Sequence, residues 1–103
     1  MASKQSTVDF ILEQISGAGS VSARKMFGEY AIYCNAKVVA LVCEDQLFIK
    51  TTPEGKVFVG RDVLEELPYP RARPHLLISG ELWEDSEWLT KLIAITAREL
   101  TKC

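Results

Sequence analysis

A chain of 103 residues, 48% of them hydrophobic and 25% charged, has the length of one domain and an ordinary globular composition, which excludes both a disordered segment and two separately stable halves. Twelve basic against fourteen acidic side chains leave a formal charge of -2, so neutralising many phosphates is not how this chain is built to bind. The apolar residues fall in short runs, far from the roughly 20 that a membrane span requires, and the opening "MASKQSTVDF" has no signal-peptide stretch; the expected setting is the cytoplasm, with no membrane partner.

Taken in chain order, Ser6-Thr7-Val8-Asp9 predicts a helix start, with the Ser6 hydroxyl capping free backbone N–H groups and Asp9 reaching back. Val8, Ile11, Leu12 and Ile15 then recur on one helical face. Gly17 and Gly19 in "SGAGS" are expected to stop this helix. From Val21 to Lys50 the pattern becomes extended, rich in Val, Ile, Tyr and Phe, and broken at Gly28-Glu29, Asn35-Ala36 and Glu44-Asp45. This predicts a four-stranded antiparallel meander, with Gly28 as the structural turn residue, placed first in a type II′ turn where positive φ costs it little.

With two-residue turns throughout, Phe27, Tyr30, Leu41 and Phe48 become cross-strand neighbours on one face, beside Lys25 and Lys50. Met26, Ala31, Ala40 and Ile49 fall on the other. The small alanines admit close-packed helices, whereas the lysines resist burial, so the helices are expected over the alanine face. The Phe27/Tyr30/Leu41/Phe48 row is then an interface candidate, with a homodimer its simplest use; the alternative is that the connector or the last helix covers it.

Thr52-Pro53-Glu54 opens a second, short helix expected over Pro53 to Val59, with proline where a missing N–H does no harm. Proline excludes helix from "LPYPRARP", which reads as an extended connector. "HLLIS" is a fifth strand. Asp85 or Ser86 can then cap a final helix whose inward stripe is Leu89, Leu92, Ile93, Thr96 and Leu100, with Glu81, Glu84, Asp85 and Glu87 compensating the dipole at its start. The result is an α+β fold: a meander of four to five strands with N-terminal, short middle and C-terminal helices.

Chemistry-bearing patterns are sparse. Cys34, Cys43 and Cys103 form no CxxC pair, and with His75 alone to join them they offer no zinc site. On the meander, Cys34 and Cys43 lie about 20 Å apart by strand rise, beyond disulfide reach. His75 reads as a surface histidine without a nucleophile at a diagnostic spacing, and Glu65-Glu66 as solvated helix or loop residues. No phosphate loop, dinucleotide fingerprint or HExxH is present. The reading is therefore a non-enzymatic domain with no cofactor. Arg24, Lys25 and Lys50 remain as polar contact candidates for a protein partner or for nucleic acid, the latter with Phe27, Tyr30 and Phe48 available to stack bases.

"SARKMFGEYAIYCNAKVVALVCEDQLFIKT", followed by the proline-bearing connector and "ISGELWEDSEWLTKLIAITAREL", resembles the TfoX N-terminal domain family from Val21 to Leu100. Arg24, Met26, Phe27, Gly28 and Tyr33 carry the most specific part. The resemblance implies a curved antiparallel sheet with flanking helices, similar to secretion-chaperone-like folds. It further implies a regulatory, protein-interaction role related to competence and transcription, with a transcription factor as partner: full-length relatives act with the cyclic-AMP receptor protein at promoters through an added C-terminal domain. This sequence stops at Cys103, so a stand-alone module is expected. The rival is a direct nucleic-acid binder similar to YjbR-like proteins. Glu29 and Ala31 stand where relatives commonly carry glycine, which argues against a backbone-lined pocket there. Ala36 likewise replaces a glycine in its turn.

Overall fold

A computed structural model describes residues 3–26 and 29–101. Its elements run α1 (Gln5–Gln14), a 3-10 turn (Ser16–Ala18), β1 (Val21–Met26), β2 (Glu29–Cys34), β3 (Lys37–Cys43), β4 (Gln46–Lys50), α2 (Pro53–Val59), a second 3-10 turn (Gly60–Asp62), β5 (Glu65–Glu66), β6 (His75–Ile78), α3 (Gly80–Trp83) and α4 (Ser86–Thr101). The strands form one antiparallel sheet in the order β1-β2-β3-β4-β6-β5. The expected α+β architecture is thus present. It gains β5 and α3, which the sequence did not announce.

Each predicted helix forms, for partly different reasons. At α2, Thr52 caps as expected, its Oγ1 accepting from the Gly55 N–H at 3.0 Å ahead of Pro53. At α4, Asp85 Oδ1 accepts from the Trp88 N–H at 3.1 Å. The start of α1 differs from expectation. Its N-cap is Lys4, without a side-chain bond of its own, and the help comes from the distant β3–β4 turn, where Asp45 Oδ1 accepts from the Lys4 N–H at 2.8 Å and from Thr7 Oγ1 at 3.0 Å. A carboxylate at the positive end of the helix serves the role expected of Ser6. The far end of α1 is tied to α4, because the Gln14 carbonyl accepts from both Ser86 Oγ at 2.6 Å and Thr90 Oγ1 at 2.9 Å.

Two turns of the meander sit where predicted. Asn35 and Ala36 have φ of 52° and 70°, and Glu44 and Asp45 have 52° and 59°, the doubly positive pattern of a type I′ hairpin. The first expected turn, Gly28-Glu29, differs at Glu29. Met26 pairs with Glu29, so Glu29 opens β2 instead of turning the chain. Phe27 and Gly28 lie outside the described residues.

The faces of the sheet are decided by a β-bulge. Cys34 pairs with Lys37 and Tyr33 with Val38 as the turn dictates, but Ile32 pairs with Ala40, leaving Val39 as the extra residue. Beyond it the register moves by one, so Tyr30 opposes Val42 and Ala31 opposes Leu41. The expected row is therefore split. Tyr30 joins Ile32, Cys34, Ala40, Val42, Leu47, Ile49, Leu76 and Ile78 on the face that packs against Val8, Ile11, Ile15, Leu89, Leu92, Ile93 and Ala97 of the helices. Leu41 and Phe48, still paired with each other, point away from them with Ala31. The bulge keeps both Val39 and Ala40 in the core, each fully buried, and the apolar gain at Val39 compensates one lost ladder position.

Candidate protein-interaction groove

The far face of the sheet carries a lateral row of paired residues, Arg24, Ala31, Leu41, Phe48 and Leu77. No helix of the core cluster packs there, yet Phe48 is only 5% exposed. The connector shares a concavity with Ala31 and Leu41 of this row. Residues 67–70 cross this face as a strap, and a type II-like turn follows in which the Ala72 N–H donates to the Tyr69 carbonyl at 3.1 Å, Pro70 sits second and Arg71 third with φ 73°. The connector was predicted to be extended; it also serves as a lid over part of the second apolar face.

The strap does not close the face. Between it and the strands lies a groove of about 970 Å³, with Ala31, Leu41 and Cys43 on the floor, Leu67, Pro68, Tyr69 and Pro70 along one wall, and Met26 at the β1 side. Met26, Leu67 and Tyr69 are 45%, 53% and 55% exposed. Three of the large apolar side chains most open to solvent thus surround one concavity. At one end the Glu29 carboxylate accepts from the Ser3 and Glu44 N–H groups, at 3.1 and 3.2 Å, and from Ser3 Oγ. Side chains of Glu29 and Ala31, at the two positions expected to close a backbone-lined pocket, help to line this one.

Burial raises the Cys43 thiol to about 11, with the carboxylates of Glu29 and Glu44 adding to the effect. The thiol is therefore neutral and a poor nucleophile near neutral pH. Cys34 is raised by burial as well, and it lies on the opposite face; both are free thiols. Among the described residues no group of His, Cys, Asp and Glu could hold a metal ion.

His75 is a correction. It is 7% exposed, not a surface residue, and its Nδ1–H donates to the Arg73 carbonyl at 2.7 Å. That fixes the tautomer, since a carbonyl only accepts. Nε2 is left buried without a partner among the described residues. His75 lies on the far face between Lys50 of β4 and Glu66 of β5, on the other side of the sheet from Cys34, so the two do not form a dyad. Glu65 and Glu66 are likewise strand residues of β5, and neither is in a helix or loop.

The polar contact candidates are dispersed. Arg24 and Lys25 are neighbours on β1 and point to opposite faces, Arg24 pairing with Ala31 and Lys25 with Tyr30. Lys50 shares the far face with Arg24, but three strand spacings separate them, about 14 Å. Of the interface candidates, Tyr30 is buried with its hydroxyl donating to Gln5 Oε1 at 3.0 Å, Leu41 is half-buried in the groove, Phe48 is buried, and Phe27 lies outside the described residues. The sequence missed Leu67 and Tyr69. A signal was present, since two large apolar residues in a solvent-exposed proline segment need a surface to rest on.

Residues 13–100 match the family model described as the TfoX N-terminal domain. The chain belongs to the TfoX N-terminal domain family. A relative from Spirochaeta aurantia, described as an uncharacterized 12.7 kDa protein in the trpE 5′ region, is 30% identical over 100 residues, covering 97% of this chain and 85% of that protein. The family match places the strap, the groove floor and β1 within one TfoX-type domain. No helix among the described residues is long and apolar enough to cross a membrane.

Proposed function

We propose that this TfoX-type domain is a non-catalytic regulatory module that acts by binding another protein through the strapped groove. The observation that carries this reading is the clustering of Met26, Leu67 and Tyr69 around one apolar concavity; exposed apolar side chains gathered in this way mark contact surfaces, whereas single ones do not. The size of the groove falls within the range of ligand sites, but it offers few converging polar groups, which favours side-chain anchoring over small-molecule recognition.

The groove lies on one protomer's own far face and is interrupted by the strap, so a broad self-complementary patch of the kind used by homodimers is not what it resembles. Binding of an extended protein segment fits better. Direct nucleic-acid binding draws little support from the dispersed Arg24, Lys25 and Lys50, because phosphate tracking requires cations along one path. A displayed library of random twelve-residue peptides tests the reading. Selected peptides should lose binding to the Leu67→Asp and Leu41→Asp variants at least tenfold while both variants keep the wild-type circular dichroism. Peptides that bind these variants as tightly as wild type would refute it.

A further inference from the structure

We infer that the occupant adds as a strand to the free edge of β1 and carries acidic side chains opposite Arg24 and Lys25, with an apolar side chain entering the groove beside Met26. This deepens the reading above and rests on it. The two edges of the sheet are unequal. On one side β5 spans two residues, whereas β1 presents six, Val21–Met26, paired only with β2. Four of those six are exposed, and the strand contains no proline. An edge of this length is a ready template for main-chain hydrogen bonds from another segment.

Charge complementarity selects the partner. Arg24 and Lys25 are exposed, and among the described residues neither takes part in an ion pair. They project to opposite faces, so an added strand meets a cation on each side. A second copy of β1 is a poor match. Antiparallel self-pairing that keeps the helices of both copies on one side allows two registers that use most of the strand: Arg24 opposite Arg24, or Ala23 opposite Ala23. The first sets two guanidinium groups face to face. The second leaves them diagonal, with Cβ atoms about 7–8 Å apart. An acidic segment turns both repulsions into attractions.

The same geometry fixes the order of side chains. The position opposite Met26 shares the groove face and lies beyond Glu29, the β2 partner of Met26, where a further carboxylate would be repelled and an apolar side chain reaches the opening lined by Met26 and Leu67. Read antiparallel to β1, the fitting segment is therefore apolar, acidic, acidic, then two or three β-forming residues. Lysine and arginine on an edge also serve to discourage edge pairing, and the two roles make different predictions.

The probe is a blocked peptide, Ser-Leu-Glu-Glu-Val-Thr-Val-Ser, titrated into the full chain and followed through the backbone amide resonances of β1. Expected are saturable shifts at Val21–Met26, a loss of at least tenfold in affinity when the glutamates become lysines, and loss of binding when alternate peptide amides are N-methylated. The double variant Arg24→Glu/Lys25→Glu should invert the preference and take the lysine peptide. If the glutamate and lysine peptides bind alike, or the N-methylated peptide binds unchanged, strand addition falls. Should the library peptides still depend on Leu67 while this probe leaves β1 unperturbed, the groove stands and the strand inference alone is overturned. If Leu67→Asp has no effect on any bound peptide, the groove reading falls with it.

Discussion

Replacing Ala36 by glycine should stabilise the protein. Ala36 holds φ at 70° in the Asn35-Ala36 turn, a backbone region where the Cβ of an L-residue crowds the following carbonyl at a cost of roughly 1–2 kcal/mol. Ala36 is exposed, so deleting its methyl group removes no buried contact. The extra freedom of glycine in the unfolded chain returns about 0.4–1 kcal/mol of that gain. The net expectation is about 0.5–1 kcal/mol in favour of the folded state, which corresponds to a rise in Tm of roughly 2–8 °C for a domain of this size. Asn35 must be left in place, because its Oδ1 accepts from the Ser20 N–H at 3.0 Å and locks the hairpin to the end of the preceding loop. Urea titration followed by circular dichroism is the assay, with the slope m compared between variants to show that the unfolded state is unchanged. Ala36→Val is the opposing control and should lower the midpoint, since a β-branched side chain suffers more in this conformation. An Ala36→Gly midpoint equal to or below that of wild type, at unchanged m, would refute the argument that this turn is strained.

Asp45 predicts an acid limb in stability. Its carboxyl is held below the usual carboxylate range, first by the Lys4 N–H bond; burial opposes this, and the Thr7 hydroxyl and the Lys4 charge add to the lowering. A depressed folded value means that the stabilisation is fully present above the unfolded value near 3.9 and is lost as pH falls through the folded one. Urea midpoints measured from pH 6 to pH 2 should show this loss, and Asp45→Asn should flatten it. Cys43, raised to about 11, should alkylate with iodoacetamide at pH 8 about a hundredfold more slowly than in urea-unfolded protein, as read by mass spectrometry. Its linkage runs the other way: the contribution is complete below the unfolded thiol value near 8.5 and disappears as pH rises through the folded one. Thr52→Ala removes the α2 cap and should cost about 1 kcal/mol in a urea titration; Thr52→Ser should recover most of it.

Much of the local architecture could be read from the chain because it depends on local chemistry. Proline after Thr52, the capping Asp85 and the tight pairs Asn35-Ala36 and Glu44-Asp45 act within a few residues, and helices or turns formed at each of them. The stripe of Leu89, Leu92, Ile93 and Thr96 is buried as its spacing required. The functional surface was less legible. A row of four residues was expected to form one contact face; of its described members, Tyr30 is instead in the core, while Leu41 lines the groove and Phe48 is buried on the far face. The reason is a single extra residue, Val39, whose insertion changes the side of every later position in register with β2.

What the sequence determined by itself was which segments become helices and strands, where most turns lie, and which family the fold belongs to. The segments and turns follow from periodicity and short-range backbone preference, and the family from the resemblance of its motifs. Tertiary structure alone decided which apolar face of the sheet meets the helices, that His75 lies buried, that Glu65-Glu66 completes the sheet, and that the proline connector straps the second face. Those outcomes depend on how well distant surfaces pack and satisfy one another's hydrogen bonds. Competition of that kind is settled between parts of the chain far apart in sequence, as when Asp45 supplies the start of a helix forty residues before it.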